Sequence, residues 1–345
     1  MLKTSIRAPN TGNLIIGGTI IDSLYKELND DQATKAPAKQ LLEEAVTLGI
    51  TYFDISPVFG PRCTTPVTET YMPKEINGMK IKISTKCGVI IKRQGKTTDQ
   101  SRHKKDSDDC FTTENMAQHI TVEDYSHEGI LESVKQCKER LSREFIDCLR
   151  LHGVDNEDRF LEATAPGAAI DTMVELRSKG EIGEVSLELK KSRFLPQFVK
   201  NCPAGTFNNI QIPGSWNLIN QDGYNLMVEC QKMNIKVTIA DVFAHGLLAT
   251  TNNDGYSKSV ALDIRYKLEK WKGLCKKYKM DMPVVALCFT VLPTLVEYVI
   301  IEIRDISTLQ EIVKLLNKCS SGVPLELWKE AQKEGLIRHE LKFPF

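Results

Sequence analysis

Short runs of β-forming residues alternate with amphipathic stretches along nearly the whole chain of 345 residues. This alternation is typical of parallel strands that are joined by crossover helices. Eight strands are predicted, at residues 13–18, 50–55, 80–86, 147–152, 182–187, 209–212, 235–240 and 298–301. Helices are predicted between them, at residues 38–48, 128–141, 168–178, 194–199, 224–233, 262–278 and 307–316.

Eight strands in strict alternation with helices predict an α/β fold of one type, a (β/α)₈ TIM barrel. A doubly wound sheet is the alternative, but no G-x-G-x-x-G follows any predicted strand. We expect one domain over residues 1–345, with the barrel at about 13–318 and a C-terminal extension at 319–345. Long loops are expected at 88–124, after the third strand, and at 249–260, after the seventh. The first is predicted to pack over the barrel mouth or to be a partly disordered surface insertion.

Charge and composition argue against several classes of function. The 45 Lys and Arg residues balance the 45 Asp and Glu residues, so no overall positive field attracts nucleic acid or anionic lipid. The N-terminus is unlike a signal peptide, and no apolar run approaches the roughly 20 residues of a membrane helix. The ten cysteines include no C-x-x-C pair, and no metal site is predicted. We therefore expect a cytoplasmic protein with reduced cysteines that binds neither nucleic acid nor membranes.

Ionisable side chains stand at the carboxyl ends of three neighbouring predicted strands. Asp54 ends the second strand, Lys86 the third and His152 the fourth. In a barrel, the active site is built at this end of the strands. A buried Asp and Lys are costly unless their charges pair, so we expect these two to pair. The alternative is that the three residues are an unrelated cap and two structural ion-pair partners.

Ten short segments, in the same order along the chain, resemble the aldo-keto reductase superfamily. Within it, they resemble the branch of D-threo-aldose (L-fucose) dehydrogenases and pyridoxal 4-dehydrogenases. The segments are Gly17-Gly18 with Leu24-Tyr25, Gly49-Ile-Thr-Tyr-Phe-Asp54, Ser84-Thr-Lys-Cys-Gly88, Asp124-Tyr-Ser126 with Gly129-Ile and Ser133, Ile146-Asp-Cys-Leu-Arg-Leu-His152, Phe160-Leu-Glu-Ala163, Gly214 with Trp216 and Gln221, Val242-Phe243, Gly246-Leu-Leu-Ala249, and Val323-Pro-Leu-Glu-Leu-Trp328 with Glu334-Gly-Leu336.

The resemblance implies a nicotinamide cofactor that exchanges hydride with a carbonyl or hydroxyl carbon, while a Tyr hydroxyl moves the proton. Asp54, Lys86 and His152 match three members of the family's catalytic tetrad. The fourth position, five residues after the Asp and before a Gly, holds Phe59 instead of the Tyr. Phe has no hydroxyl, and general acid catalysis is worth about 10² to 10⁴ in rate.

Three other groups are candidates for the missing acid. Tyr71 and Tyr125 are the nearest hydroxyl groups in sequence, and a water relayed by His152 is the third candidate. The sequence pattern does not choose among them.

The resemblance also implies the cofactor-binding residues, and several of them depart from the family pattern. The positions implied are Phe243, Gly246, Leu247, Arg304, Gln310 and Glu311. Around them stand Glu302 and Asp305 in place of a Gly and a Ser, Ile312 in place of an Asn, Asp241 in place of a Gly, and His245 in place of a Ser or Asn. Two carboxylates beside a phosphate repel it, so a weakened site for NADP or NAD is expected. For His245, and also for His152, a position as a core histidine is the competing interpretation.

Two functions from different classes follow. The first is an aldo-keto reductase-like oxidoreductase that uses NADP or NAD on a sugar or small aldehyde or alcohol. The second is a catalytically impaired barrel, a pseudoenzyme, that acts as a binding or scaffold protein. The resemblance favours the first, with a small-molecule substrate and a monomeric state.

Overall fold

The computed structural model describes residues 1–17, 31–56, 72–93, 119–154, 156–188, 202–249, 260–303 and 305–343. Its strands, in chain order, are β1 (Leu14–Gly17), β2 (Tyr52–Asp54), β3 (Glu75–Ile76), β4 (Met79–Lys80), β5 (Lys82–Cys87), β6 (Val89–Arg93), β7 (His119–Glu123), β8 (Ile146–Leu151), β9 (Ile182–Glu188), β10 (Asn209–Pro213), β11 (Lys236–Ala240) and β12 (Val296–Glu302). Its helices are α1 (Asp31–Thr47), α2 (His127–Leu141), α3 (Glu157–Thr164), α4 (Ala169–Ser178), α5 (Tyr224–Lys232), α6 (Leu262–Tyr278), α7 (Met282–Thr290), α8 (Ile306–Cys319) and α9 (Leu325–Lys333).

Eight of these strands close into a barrel in the order β1-β12-β11-β10-β9-β8-β5-β2. Every neighbouring pair in the barrel is parallel. Each of the eight predicted strands overlaps one of them, so the predicted (β/α)₈ TIM barrel is confirmed. All eight carboxyl ends therefore meet at one mouth of the barrel.

One of the two predicted long loops differs from expectation. The 88–124 segment begins and ends as an antiparallel hairpin, in which β6 pairs with β7 from Val89 and Glu123 to Arg93 and His119. The expectation of a loop over the whole segment is therefore wrong at its two ends. Residues 94–118 between the strands, residues 250–259 of the second loop, and the helix predicted at 194–199 lie outside the described residues.

Helix α2 illustrates how the sequence specifies a crossover helix. The Ser126 hydroxyl accepts a hydrogen bond from the Gly129 amide at 3.0 Å, so Ser126 is the N-cap. Four apolar residues at helical spacing are buried against the barrel, namely Ile130, Val134, Cys137 and Leu141. The helix ends at Ser142, whose backbone is left-handed with a φ of 49°.

Helices α3, α7 and α9 are not among the predicted helices. In α7 all nine residues are buried, from Met282 to Thr290. A helix without a polar face has no 3.6-residue periodicity to read, and this explains why the pattern did not show it. In the described part of the chain, no helix is long and apolar enough to cross a membrane.

The C-terminal segment packs on the helices outside the barrel through aromatic rings. Trp328 in α9 stacks on Phe343 with 6.3 Å between ring centroids. Its other neighbours are Trp271 in α6, at 6.5 Å, and Phe289 in α7, at 6.2 Å. Trp328 is buried, so this cluster ties residues after the barrel to α6 and α7. The cysteines in the described part are free and buried, as small apolar side chains are.

Candidate active site

Charged side chains from four barrel strands meet inside the barrel, near the carboxyl ends of the strands. Asp54 on β2 contacts Arg150 on β8, although β5 lies between these two strands. In the same way, Lys86 on β5 contacts Glu188 on β9 across β8. Side chains from strands that are not adjacent can meet only in the lumen. The four residues are between 1% and 5% exposed, so the lumen holds two buried carboxylates and two buried cations.

The predicted ion pair of Asp54 and Lys86 is present, but each of the two residues has a closer partner of opposite charge. The Asp54 carboxylate accepts hydrogen bonds from Arg150 Nη1 at 2.5 Å and from the Ser84 hydroxyl at 2.6 Å. The Lys86 ammonium lies 4.0 Å from Asp54 but only 2.6 Å from Glu188. The Asp54–Lys86 pair is therefore the longest contact of the group, because each partner has a closer opposite charge.

The charges in the lumen hold one another in their ionised forms. Burial raises the pKa of Glu188, but the contacts with His152 and Lys86 outweigh it and hold this pKa well below its ordinary value. Burial lowers the pKa of Arg150, but the charge of Asp54 outweighs it and holds this pKa above its ordinary value. The contribution of Glu188 to stability is therefore complete above the ordinary carboxyl value of 4.5 and is lost as the pH falls below it.

His152 follows β8 at the mouth, and its ring lies next to Glu188. Its Nδ1 atom is 3.6 Å from Glu188 Oε1. The His152 side chain is 22% exposed, whereas those of Asp54, Lys86 and Glu188 are 3%, 4% and 6% exposed. His152 is therefore the member of this group that solvent or a ligand at the mouth can reach.

The structure brings together the three predicted residues Asp54, Lys86 and His152, while other predicted positions fall elsewhere. Phe59, Tyr71 and Arg304 lie outside the described residues. Tyr125 is buried, and its hydroxyl donates a hydrogen bond to the His152 carbonyl oxygen at 3.0 Å. Its proton is therefore used to hold the backbone of His152.

Two charged members of the lumen, Arg150 and Glu188, were not predicted as site residues. A signal for both was present, because side chains two residues apart on a strand share a face. Arg150 precedes His152 by two residues and must face the lumen if His152 does. Glu188 follows Ser186, to which Arg150 Nε donates a hydrogen bond at 3.2 Å.

The two acidic departures from the family pattern lie at the end of β12, where Glu302 is the last residue, and at the N-cap of α8, which is Asp305. Asp305 caps α8, since its Oδ1 accepts hydrogen bonds from the Thr308 amide and the Ser307 hydroxyl, each at 2.7 Å. These bonds lower the pKa of Asp305. Glu302 is exposed, and a Cβ added at Gly17 would collide with its carboxylate. A helix N-terminus after the eighth strand is a common phosphate site in barrels, and here a carboxylate already occupies it.

Replacing Asp305 with alanine should lower the free energy of unfolding by about 1 kcal/mol, because α8 loses its N-cap. Asp305→Ser should retain most of the stability, since a serine hydroxyl can accept the same amide hydrogen bond. Urea unfolding at neutral pH measures both. The difference in free energy of unfolding between the unmodified chain and Asp305→Ala should shrink as the pH falls below 3.8, the ordinary pKa of an Asp carboxyl. The reason is that the hydrogen bonds that lower the pKa of Asp305 stabilise only its ionised form. Equal losses for Ala and Ser would contradict the capping role.

In the loop after β11, as at the start of α8, a carboxylate accepts a hydrogen bond from a backbone amide. Asp241 Oδ1 accepts a hydrogen bond from the His245 amide at 2.7 Å. Asp241, Ala244, His245 and Gly246 all have positive φ angles, between 48° and 90°, in the region that favours glycine. The His245 side chain is 92% exposed, so the interpretation of His245 as a core residue is wrong.

The remaining predicted cofactor-binding residues surround the mouth on the outside. Phe243 and Leu247 are half-buried and pack on the core, while Gly246 and Glu311 are exposed. Gln310 is also exposed and donates a hydrogen bond to Glu44 in α1 at 3.4 Å. Ile312 is buried and contributes to the core instead of a polar contact.

A nicotinamide cofactor can be tested against these residues. In the lumen, Gln211 lies beside Glu188 in the β9–β10 register, and its buried Oε1 has no hydrogen-bond partner within the described residues. This amide oxygen suits the N–H groups of a carboxamide. Asp241 and Asp305 accept hydrogen bonds from backbone amides that could otherwise donate to a phosphate. The residues therefore fit the nicotinamide of the cofactor, whereas these carboxylates oppose additional negative charge at its phosphates.

Comparison with known sequences shows similarity over most of the chain. The model of the aldo/keto reductase family matches residues 13–321. Pyridoxal 4-dehydrogenase from Microbacterium luteolum is 24% identical over 318 residues, which are 88% of this chain and 90% of that protein. D-threo-aldose 1-dehydrogenase from a Pseudomonas species is 23% identical over 333 residues, or 93% of each chain.

Solved structures share the fold at lower sequence identity. An aldo-keto reductase from Bacillus halodurans, in its holo form, has a TM-score of 0.66 and 16% identity, and the match covers 99% of this chain and 98% of that one. The glycerol dehydrogenase of Gluconobacter oxydans has a TM-score of 0.62 and 18% identity, with 100% and 98% covered. Because the family model spans the whole barrel and these structures share its fold, the chain belongs to the aldo/keto reductase family.

Proposed function

We propose that the chain is a nicotinamide-dependent oxidoreductase that interconverts a small aldehyde, or a sugar in its aldehyde or lactol form, with its oxidised or reduced partner. The observation that carries this proposal is the charged lumen at the barrel mouth, with the partly exposed His152 above the buried Lys86 and Glu188. A carbonyl oxygen gains negative charge as hydride reaches its carbon, so it needs an N–H or O–H donor and a polar pocket that is already in place.

In this proposal each residue of the lumen has a defined task. The nicotinamide supplies or accepts the hydride when it is bound. Gln211 holds the carboxamide, and Lys86 with His152 provides positive charge and hydrogen-bond donors near the substrate oxygen. The Asp54–Arg150 pair fixes the strands beneath them. The substrate class rests on the curated relatives, whose names specify a pyridoxal and an aldose substrate for those proteins.

For the cofactor, the acidic loops favour NAD(H) over NADP(H). The 2′-phosphate of NADP adds about two negative charges, and Glu302 and Asp305 add two more where the family has neutral residues. Two unit charges at 4 Å repel by about 1 kcal/mol even in bulk water. Cofactor of either kind is expected to bind weakly for the same reason.

Titration with NADH and NADPH tests the proposed cofactor. Trp216 follows β10, whose carboxyl end lies at the mouth, and is buried with its ring centroid 5.0 Å from that of Phe289, so tryptophan fluorescence is one readout of this titration. We expect quenching of tryptophan fluorescence with micromolar affinity for NADH. An unchanged spectrum up to millimolar NADH and NADPH would contradict the proposed function.

The double variant Glu302→Gly and Asp305→Ser should improve the binding of NADPH relative to NADH by about tenfold, because it removes two charges and keeps a helix cap. The same titration measures this ratio. A matched control removes two exposed acids at the opposite end of the barrel, with Glu139→Gln and Glu144→Gln. If both double variants change the ratio equally, the effect comes from net charge and not from these loops.

A second candidate function is a binding barrel without turnover. The observation in its favour is the 2.6 Å contact of Lys86 with Glu188. In the family this ammonium lies beside the catalytic Tyr and assists it, whereas here it is paired with a carboxylate. Phe59 at the Tyr position points the same way. Saturable cofactor binding, together with no reduction of any member of an aldehyde and sugar panel, would favour this second function.

A further inference from the structure

The His152 ring presents one nitrogen to the protein and leaves the other for a ligand. Nδ1 is buried, has no hydrogen-bond partner within the described residues, and lies 3.6 Å from Glu188 Oε1. The side chain as a whole is 22% exposed. Nε2, unlike Nδ1, is not among the buried polar atoms that lack a partner in the described residues, which agrees with an Nε2 that faces the mouth.

The backbone of His152 is held from two directions. Its amide donates a hydrogen bond to the Cys87 carbonyl oxygen at 3.2 Å. Its carbonyl oxygen accepts one from the Tyr125 hydroxyl at 3.0 Å. The neighbouring Gly153 has a φ of 83°, and a Cβ there would lie 2.7 Å from the Tyr125 oxygen. The backbone of His152 is therefore held in place by contacts that do not involve a ligand.

Glu188 is suited to support a positive charge on that ring. The Lys86 ammonium at 2.6 Å and the imidazole keep its carboxylate ionised, in spite of its burial. Glu188, held in its ionised form, has no proton of its own to give, so a proton transferred beside it comes from the imidazole whose Nδ1 lies 3.6 Å away.

The other described polar groups near the mouth are poor proton donors. Lys86 would leave a buried carboxylate unpaired if it lost its proton, which is costly. The Tyr125 hydroxyl is used by the His152 carbonyl oxygen, and Asp54 accepts from Arg150 and Ser84.

We propose that His152 and Glu188 form a proton-transfer dyad that takes over the task of the missing Tyr hydroxyl. This inference rests on the proposed function and adds the identity of its acid. In reduction, the carbonyl carbon receives a hydride from the reduced nicotinamide, the π electron pair moves to oxygen, and that oxygen takes the Nε2 proton. His152 is left neutral and regains a proton from water. In oxidation the same steps run in reverse. His152 is the catalytic residue, and Glu188 is a positioning residue.

Several titratable or charged groups surround His152, and most are paired with each other. Arg159 donates to the Gly153 carbonyl oxygen at 3.1 Å and also pairs with Glu123. Lys86 stands behind Glu188 and is paired with it. Glu188 from β9 contacts the His152 ring and Tyr125 contacts its carbonyl oxygen, while Lys86 from β5 pairs with Glu188, and Glu123 from β7 and Arg159 from α3 lie next to Gly153. The carboxylate in closest contact with the ring is Glu188, so its removal should dominate any change.

The dyad is tested first without turnover, by following the imidazole resonances of the six histidines in NMR spectra of the full chain at one fixed pH. His152→Asn assigns the resonances of His152. We expect Glu188→Gln to move these resonances, because it removes the carboxylate 3.6 Å from Nδ1. The matched control is Glu184→Gln, four residues earlier on β9, which should move them little. If Glu188→Gln does not fold because Lys86 is left unpaired, Glu188→Gln with Lys86→Met removes both charges, and its His152 resonances should then differ from those of Lys86→Met alone. Unchanged resonances overturn the dyad.

The second readout is turnover in the direction of reduction at saturating cofactor. His152→Asn should lower kcat by about 10²-fold or more, since it removes the proton donor. Glu188→Gln should lower kcat with little change in the affinity for the cofactor, and Glu188→Asp should restore part of the loss. An unchanged kcat in both His152→Asn and Glu188→Gln, in a chain that turns over, overturns the dyad alone. No turnover at all, with cofactor bound, overturns the proposed oxidoreductase function, and the proton-transfer role falls with it.

Discussion

Phe59→Tyr should raise the reductase turnover of this chain on a generic small aldehyde by about 10²-fold, the lower end of what a general acid contributes. The resemblance to the family assigns this position to the proton donor, and phenylalanine has the shape of tyrosine without its hydroxyl. The lower end is expected because the Lys86 ammonium, which would assist the new hydroxyl, is shared with Glu188 at 2.6 Å. Turnover is measured by the oxidation of NADH at saturating concentrations.

The pH profile and a control variant separate this effect from others. A tyrosine has an ordinary pKa near 10, so activity in Phe59→Tyr should persist to higher pH than in the unmodified chain. Phe59→Leu changes the same side chain without adding a hydroxyl and should bring no gain. If Phe59→Tyr binds cofactor as before but turns over no faster, the defect lies outside the proton donor.

Arg150→Met should lower the free energy of unfolding by about 3 to 5 kcal/mol, the cost of leaving a buried charge without its partner. Asp54 is 2% exposed, and its shortest contact is the 2.5 Å hydrogen bond from Arg150. Without the guanidinium, the lumen holds two carboxylates and only one cation. Urea unfolding, followed by circular dichroism, measures the loss.

An exposed ion pair provides the control for this prediction. Lys318 and Asp281 lie 2.6 Å apart, with side chains 61% and 49% exposed, so Lys318→Met should cost no more than about 1 kcal/mol. Adding Asp54→Asn to Arg150→Met should recover part of the stability, since the unpaired charge is then removed as well. Losses of equal size for Arg150→Met and Lys318→Met would contradict a buried pair.

The barrel itself was predictable because its strands and helices differ in periodicity. The run that contains Ile182 and Leu187 reads as a strand, and the face from Ile130 to Leu141 reads as a helix, without knowledge of their neighbours. Helix α7 was not predicted because its nine residues are all buried, and a uniformly apolar run has no periodicity. The β6–β7 hairpin was not predicted because it lies within a long, mostly polar segment.

For the candidate site, the positions of Asp54, Lys86 and His152 followed from the strand ends, but their partners did not. Which charge pairs with which depends on the stagger of strands that are not adjacent, and hydrophobic periodicity contains no information on that stagger. The expected Asp54–Lys86 contact is 4.0 Å long because Arg150 and Glu188 are closer to each partner. The alternation of side chains along β8 and β9 shows only that these two residues share a face with the others.

The charged lumen also constrains how the chain folds. Its two ion pairs join residues 96 and 102 positions apart, Asp54 with Arg150 and Lys86 with Glu188, so neither pair forms within a short stretch of chain. An intermediate that buried β2 and β5 before β8 and β9 had joined them would enclose charges without partners. Half-closed barrels are thereby disfavoured, and assembly of the first five barrel strands becomes close to all-or-none. The four charged residues of the lumen would thus favour closure of the barrel only when all their strands are in place.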